Sequence, residues 1–480
     1  MSHALTQWLL QGQDALERDD PAAAVTAFAL ALNAAPANTG IALALANAHR
    51  LSGDTLGART VLCAAQQRVD GATAEDLHAL GTALLEVGSP VEAHECFVQV
   101  LQARPSDPAA HGALASAKRA LGDAGRAWPL VQRALQLAPM HPALLLTAAQ
   151  IRHDLGDSRG AHRWLDAAEA ARPDHRPTRM QRAYTTLSGG VSAAGWEALE
   201  ARPLPIPPTR ARAWHGEPLE GCDIVVTAEQ GVGDQFQFVR FVSLLASLGP
   251  SRIVVECHAD AVSLFAANGL AAVARGQLPD TAWHVPLLSL PHRLRLGDAV
   301  EGRSVPYLRA LGASSAIAER DLRARPRLGL VWAGNPEYPG RTTRDLDVAL
   351  LPVITGFDAV EWVSLQQGAE ATADRPNLLT IPPLQSWAAT AATLARLDGL
   401  VTTDTGIAHL AGAMGVPTWI MLQAAPDWRW GSTGATTPWY PTMRLLRQQR
   451  SGDWTAVVAE LLRELRIHRP IRDGEKAGSR

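Results

Sequence analysis

Between residues 5 and 173 the chain repeats itself every 34 residues, and this period limits its fold more than any other feature. Turn signals fall at Gly53-Asp54, Gly88-Ser89, Gly122-Asp123 and Gly156-Asp157, at spacings of 35, 34 and 34. An alanine follows each helix start at Ala24, Ala58, Ala93, Ala127 and Ala161, and each unit ends in a breaker: Pro36, Asp70, Pro105, Pro139 and Pro173. A unit of this length holds two helices and a turn, and it cannot bury its apolar face alone. Stacking is then obligatory.

The third unit shows the local chemistry best. Small residues at Gly81 and Ala93 let two helices cross closely, while Leu80, Leu84 and Phe97 fill the gap. The Gly-Asp turn reverses the chain and the proline ends the second helix. Leu77, Leu80, Gly81, Leu84, Ala93, Phe97 and Pro105, with the weaker set Trp8, Gly12, Ala24, Phe28 and Pro36, resemble the tetratricopeptide repeat. The reading is a solenoid over 1–187: five repeats capped by a helix over 176–187, with another around 192–202. Such an array offers a concave face to a protein or peptide, or serves as a spacer or oligomerisation arm.

Pro203, Pro205, Pro207 and Pro208 then interrupt all regular structure, within a linker assigned to 188–221. Beyond them the pattern changes to α/β. Ile224–Thr227, Ile253–Glu256 and His284–Leu287 read as strands of a first half over 222–320. Arg327–Trp332, Glu361–Leu365, Gly399–Thr403 and Thr418–Leu422, with helices over 387–397 and 406–414, read as strands and helices of a second half over 321–468. A polar tail, 469–480, closes the chain. The fold class is therefore an all-α solenoid followed by two Rossmann-like units, whose ligands belong at the carboxyl ends of the strands.

Composition narrows the chemistry. The 480 residues suit about three domains. Charge nearly cancels, at −3, which gives no global basic footprint for nucleic acid. Of 44 basic residues only Lys118 and Lys476 are lysines, so no Schiff base or P-loop lysine is available between them. Phosphate must be held by arginines, hydroxyls and backbone N–H groups. No apolar run reaches a membrane span of about 18 residues, and the N-terminus lacks a signal-peptide pattern. Cys63, Cys96, Cys222 and Cys257 are scattered without a metal spacing, which fits free thiols in a cytoplasmic protein with no metal site.

Three loops carry candidate chemistry. Gln230, Gly231 and Gly233 form a tight turn after the first strand that lets an acceptor substrate approach the backbone or is simply a loop, and Phe236 stands where a dinucleotide fingerprint needs glycine. Asp234 follows at the helix start, as a catalytic carboxylate or as a helix cap. Glu229 is a second carboxylate there, either a base or the partner of an arginine. In the second half, Thr405 and Gly406 offer N–H groups at a helix N-terminus, a natural anion site. Asp404 holds that loop, binds a sugar hydroxyl or caps the helix, and His409 reaches back toward it or is structural. Asn335 begins a loop containing Arg341 and Arg344, candidate phosphate ligands or surface charges. Trp428, Arg429, Trp430, Trp439 and Tyr440 form a late aromatic segment that stacks on a ligand or packs on the core.

The stretch from about Trp214 to Trp454 resembles the heptosyltransferase-like glycosyltransferases of family 9. The likeness is carried by AEQGVGDQFQFVRF at 228–241, GLVWAGNP at 329–336, VTTDTGIAHLAGAMGVPTW at 401–419 and the PDWRW and PWYP words at 426–430 and 438–441. The resemblance implies a GT-B fold and inverting, metal-independent transfer of a sugar from a nucleotide-sugar, with no cofactor. It makes Asp234 the general base. It assigns Asp404, Thr405, Gly406 and His409 to the donor, and Arg341, Arg344, Arg429 and Asn335 are the candidates for further donor contacts. The acceptor, a protein or glycan, would be recruited by the repeats. The chain departs from the group in having no lysine in this region and in the loop EYPGRTTRDLD. The competing reading is a non-catalytic repeat scaffold with a degenerate sugar-nucleotide domain.

Overall fold

The computed structural model describes residues 3–69, 71–204, 210–298, 304–318, 325–335, 341–368 and 377–467, with only the backbone at 341 and 342. Asp70, Pro205, Pro207, Pro208, Pro336 and the tail 469–480 lie outside the described residues. The chain divides into two compact units: 1–175 with 335–343, and 176–334 with 344–480.

Among the described residues, 3–171 form ten helices in five consecutive pairs: α1 (His3–Glu17) with α2 (Pro21–Ala34), α3 (Thr39–Leu51) with α4 (Thr55–Gln66), α5 (Ala74–Glu86) with α6 (Pro90–Ala103), α7 (Pro108–Ala120) with α8 (Ala124–Leu137), and α9 (Pro142–Asp154) with α10 (Ser158–Ala171). These are tetratricopeptide-like repeats. The turn dipeptide performs two tasks at once. Gly53, Gly122 and Gly156 adopt φ of 76–81°, the left-handed conformation that ends the first helix. Asp54, Asp123 and Asp157 then cap the second, each accepting a bond from the third helical N–H at 2.8–3.2 Å. Close crossing also follows the expected rule. A Cβ on Gly81 would stand 2.7 Å from the Phe97 ring, and one on Gly12 would stand 2.5 Å from Phe28. Leu80, Leu84, Ala93 and Phe97 are fully buried.

The second unit carries two parallel sheets. The first has the order β1-β5-β2-β3-β4, from β1 (Arg212–Ala213), β2 (Asp223–Thr227), β3 (Arg252–Cys257), β4 (Ala271–Ala274) and β5 (Trp283–Pro286). The second comprises β6 (Arg327–Val331), β7 (Glu361–Ser364), β8 (Leu378–Leu379), β9 (Gly399–Thr403), β10 (Thr418–Leu422) and β11 (Met443–Arg447), in the order β11-β10-β9-β6-β7-β8. Counted from its own first strand, this second sheet runs 3-2-1-4-5-6, the Rossmann order. The expected inner strands are all present. The edge strands β1, β4, β8 and β11 were not anticipated.

Two domain boundaries differ from the sequence reading. The helices Arg176–Ser188 and Ala193–Leu199 were expected to cap the solenoid and to lie in a linker. Instead Ala183, Leu187, Trp196 and Leu199 join the core of the second unit. Trp196 is the hub: its ring lies 6.1 Å from Phe238, 5.9 Å from Trp428 and 6.2 Å from Trp439. It therefore packs on both α/β halves, and burying an indole of this size outweighs continuation of the helical repeat pattern. The unit that holds both sheets accordingly begins at Arg176.

Candidate functional site

The site lies where loops at the carboxyl ends of β2, β9 and β10 converge within the second unit. After β2, Gln230 adopts a left-handed φ of 51° and Gly231 caps the helix Val232–Phe238. Asp234 is not the N-cap residue. It stands in the first turn and reaches back, its Oδ2 accepting from the Gly231 N–H at 3.0 Å. Its other oxygen pairs with Arg429, which arrives 195 residues later. Burial raises the proton affinity of Asp234 and Arg429 offsets only part of that rise.

Arg429 has several partners. Nη1 donates to Asp427 at 2.9 Å and Nε donates to Gln237 Oε1 at 2.9 Å. The guanidinium carbon stands 4.4 Å from the Trp428 ring centroid. Asp427 is held below its usual proton affinity, because Arg429 and the Arg429 backbone N–H overcome its burial. Neither Asp427 nor Gln237 was singled out from sequence. Asp427 stood in the quoted word PDWRW, but nothing local marked it as the clamp on Arg429.

The second glycine-rich turn presses on the first. Thr405 precedes the helix Gly406–Met414 and provides no side-chain cap. Its hydroxyl instead bonds Thr402 at 3.0 Å and the Thr403 carbonyl at 3.3 Å. A Cβ on Gly233 would meet Gly406 Cα at 3.2 Å and His409 Cδ2 at 2.9 Å. Glycine at 233 is thus required by close approach of the two helix starts. His409 is buried, stacks on Trp430 at 5.0 Å and 22°, and bonds Tyr440 Oη through Nδ1 at 3.0 Å. Burial, then the neighbouring Arg429, lowers its pKa to about 3, so it is neutral at physiological pH.

Other expectations resolve differently. Glu229 is occupied as an arginine partner: Arg202 donates to it through Nε at 2.7 Å and Nη2 at 2.9 Å, and Leu288 N–H donates at 3.1 Å. It thereby ties the loop after β2 to the loop after β5 and has no freedom to act as a base. Asp404 pairs with Arg344 at 3.0 Å, so it holds the loop and occupies one phosphate candidate. Asp345 closes the base of that loop by accepting from Gly334 N–H at 3.0 Å. Asn335 is exposed and groups with the first unit, as does Arg341, whose side chain lies outside the described residues. Trp428, Trp430, Trp439 and Tyr440 are buried, which favours core packing over ligand stacking.

No family model matches the chain. It is similar to Protein FlbA of Caulobacter vibrioides, with 25% identity over 446 residues, 82% of this chain and 72% of FlbA. Among solved structures, the MamA protein is 17% identical with a TM-score of 0.30, over 36% of this chain and 94% of its own. A tetratricopeptide repeat protein from Parabacteroides merdae is 15% identical with a TM-score of 0.34, over 42% of this chain and 82% of its own. A thermophilic tetratricopeptide repeat protein in Thermus thermophilus is 18% identical with a TM-score of 0.29, over 38% and 99%. Among the described residues, no helix is long and apolar enough to cross a membrane.

Proposed function

We propose that the second unit is a GT-B glycosyltransferase that moves a sugar from a nucleotide-sugar to an acceptor hydroxyl, and that the repeats bind a protein or glycan-bearing partner. One observation carries the reading. Gly233, next to Asp234 in the turn after β2, packs against Gly406 and His409 at the start of a helix that Thr405 leaves without a side-chain cap, and Asp234 itself pairs with Arg429 from the loop after β10. A carboxylate with raised proton affinity is a better base than an exposed one. Asp234 takes the acceptor hydroxyl proton as the oxygen bonds to the anomeric carbon. The bond from that carbon to the diphosphate breaks, and the helix N–H groups with Arg429 stabilise the departing charge.

A second reading is a non-catalytic scaffold. It is favoured by the ion pairs: Arg344 is matched by Asp404, and Arg429 by Asp234 and Asp427, so neither guanidinium is held in reserve for phosphate. Thermal unfolding with nucleoside diphosphates and nucleotide-sugars separates the two. Under the transferase reading at least one diphosphate raises the midpoint by mass action. Asp234→Asn then keeps that binding and loses about 10²–10⁴-fold in transfer. No shift with any member at millimolar concentration leaves the scaffold reading.

A further inference from the structure

Tyr440 is fully buried, and a buried phenol O–H needs an acceptor. Two groups compete for its proton. One is His409 Nδ1, at 3.0 Å. The other is the hydroxyl of Tyr307, which also faces it. Tyr307 Oη already accepts from Arg240 Nη2 at 2.9 Å and donates to the Phe236 carbonyl at 2.8 Å. A phenol oxygen polarised by a guanidinium is a weaker acceptor than an imidazole lone pair. The proton of Tyr440 therefore goes to Nδ1.

A neutral imidazole has one donor nitrogen and one acceptor nitrogen. We propose that Tyr440 is a positioning residue that fixes His409 as the Nε2–H tautomer, so that its ring meets a ligand as a neutral hydrogen-bond donor and not as a base. The surroundings agree. The flanking Arg429, Arg344 and Arg240 and the buried setting all oppose a second proton, while Asp427 favours one. Trp430 holds the ring plane. The Cδ2 side of the ring, next to Nε2, borders the glycine turn at Gly233. Which oxygen the N–H meets, on the diphosphate or on the sugar, rests on the transferase reading. The tautomer does not, and it is read without any ligand.

The test is long-range proton–nitrogen correlation NMR on full-length protein labelled with ¹⁵N-histidine. His409→Gln identifies the signals of interest by their loss. The expected pattern has a protonated Nε2 coupled to both ring C–H protons and an unprotonated Nδ1 coupled to Hε1 alone. Tyr440→Phe should collapse this into averaged tautomers, while Tyr307→Phe should preserve it. An unprotonated Nε2 in the wild-type protein overturns the proposal, as does an unchanged pattern in Tyr440→Phe. Should Tyr440→Phe not fold, Tyr307→Phe decides: a tautomer that reverses when Tyr307 loses its hydroxyl means that Tyr440 had donated there. Nucleotide binding is measured separately, so a wrong tautomer leaves the transferase reading standing.

Discussion

Arg104 and Glu75 in the repeats pair at the surface, with side chains 48% and 67% exposed. Arg202 and Glu229 in the α/β unit pair with side chains 2% and 3% exposed. The same two residue types thus do different work in the two units. The repeats hold together through small residues, leucines and local caps, and charges such as the Arg104–Glu75 pair face water. The α/β unit places charged groups inside its core, where each must be matched by a specific partner. Arg240 illustrates this: it is buried, donates to the Trp439 carbonyl at 3.1 Å, and lies 4.5 Å from the Tyr307 ring centroid. A solenoid assembled from near-neighbour contacts tolerates loss of any one surface pair. A two-sheet core knit by buried ions does not.

The sharpest way to break that contrast is to remove one guanidinium from each unit. Arg202→Ala leaves Glu229 buried and unpaired, and the expected cost is about 3–5 kcal/mol. Arg104→Ala is expected to cost about 0–1 kcal/mol. Hydrogen exchange at β2 and β5 for the first, and at α5 and α6 for the second, assigns each loss to its own unit. Equal losses would erase the distinction.

The buried histidine supplies a second test, through pH. His409 is depressed in the folded state to about 3, whereas an unfolded histidine titrates at its ordinary 6.5. Below that ordinary value the unfolded chain holds one more proton than the folded one. The contribution of His409 to stability is therefore full above pH 6.5 and is lost as pH falls toward about 3. Between pH 6 and 4.5, wild-type stability should fall more steeply than that of His409→Gln, by about 1.4 kcal/mol per pH unit. Denaturant unfolding across that range reads the difference in slope. Asp234, whose folded pKa is raised, contributes with the opposite sign, stabilising at low pH and less as pH rises, but it is present in both proteins.

A smaller effect than either buried-group test is expected at a helix cap in the repeats. Asp157→Ala removes the side-chain acceptor for the Gly160 N–H and should cost about 1 kcal/mol. The loss should appear as faster exchange at the start of α10, with the α/β unit unchanged. Spread of the loss into β2 or β9 would show that the repeats are not energetically local.

Much of the fold was legible because its signals are local. The Gly-Asp turns, the inner strands and the helix Gly406–Met414 each follow from residues a few positions apart. Edge strands escaped notice for a physical reason. Ala-Ala-Val-Ala at β4 and the two-residue β1 and β8 have too little apolar alternation to announce themselves, and they exist because an inner strand offers them a ladder. The candidate site was legible in its parts and not in its pairings. Asp234, Asp404, His409, Arg344 and Arg429 were all candidates, but the partner of each was hidden by sequence distance.

The sequence alone determined the repeat count, the two α/β halves and the loops that form the candidate site, since backbone propensity, glycine conformation and apolar period act over a few residues. Tertiary structure decided what each charge does. It bound Glu229 to Arg202, gave Asp234 to Arg429, set His409 against Tyr440, and drew the Trp196 helix into the α/β core. Those outcomes depend on which groups are desolvated together, and desolvation is a property of the packed interior and not of the chain that enters it.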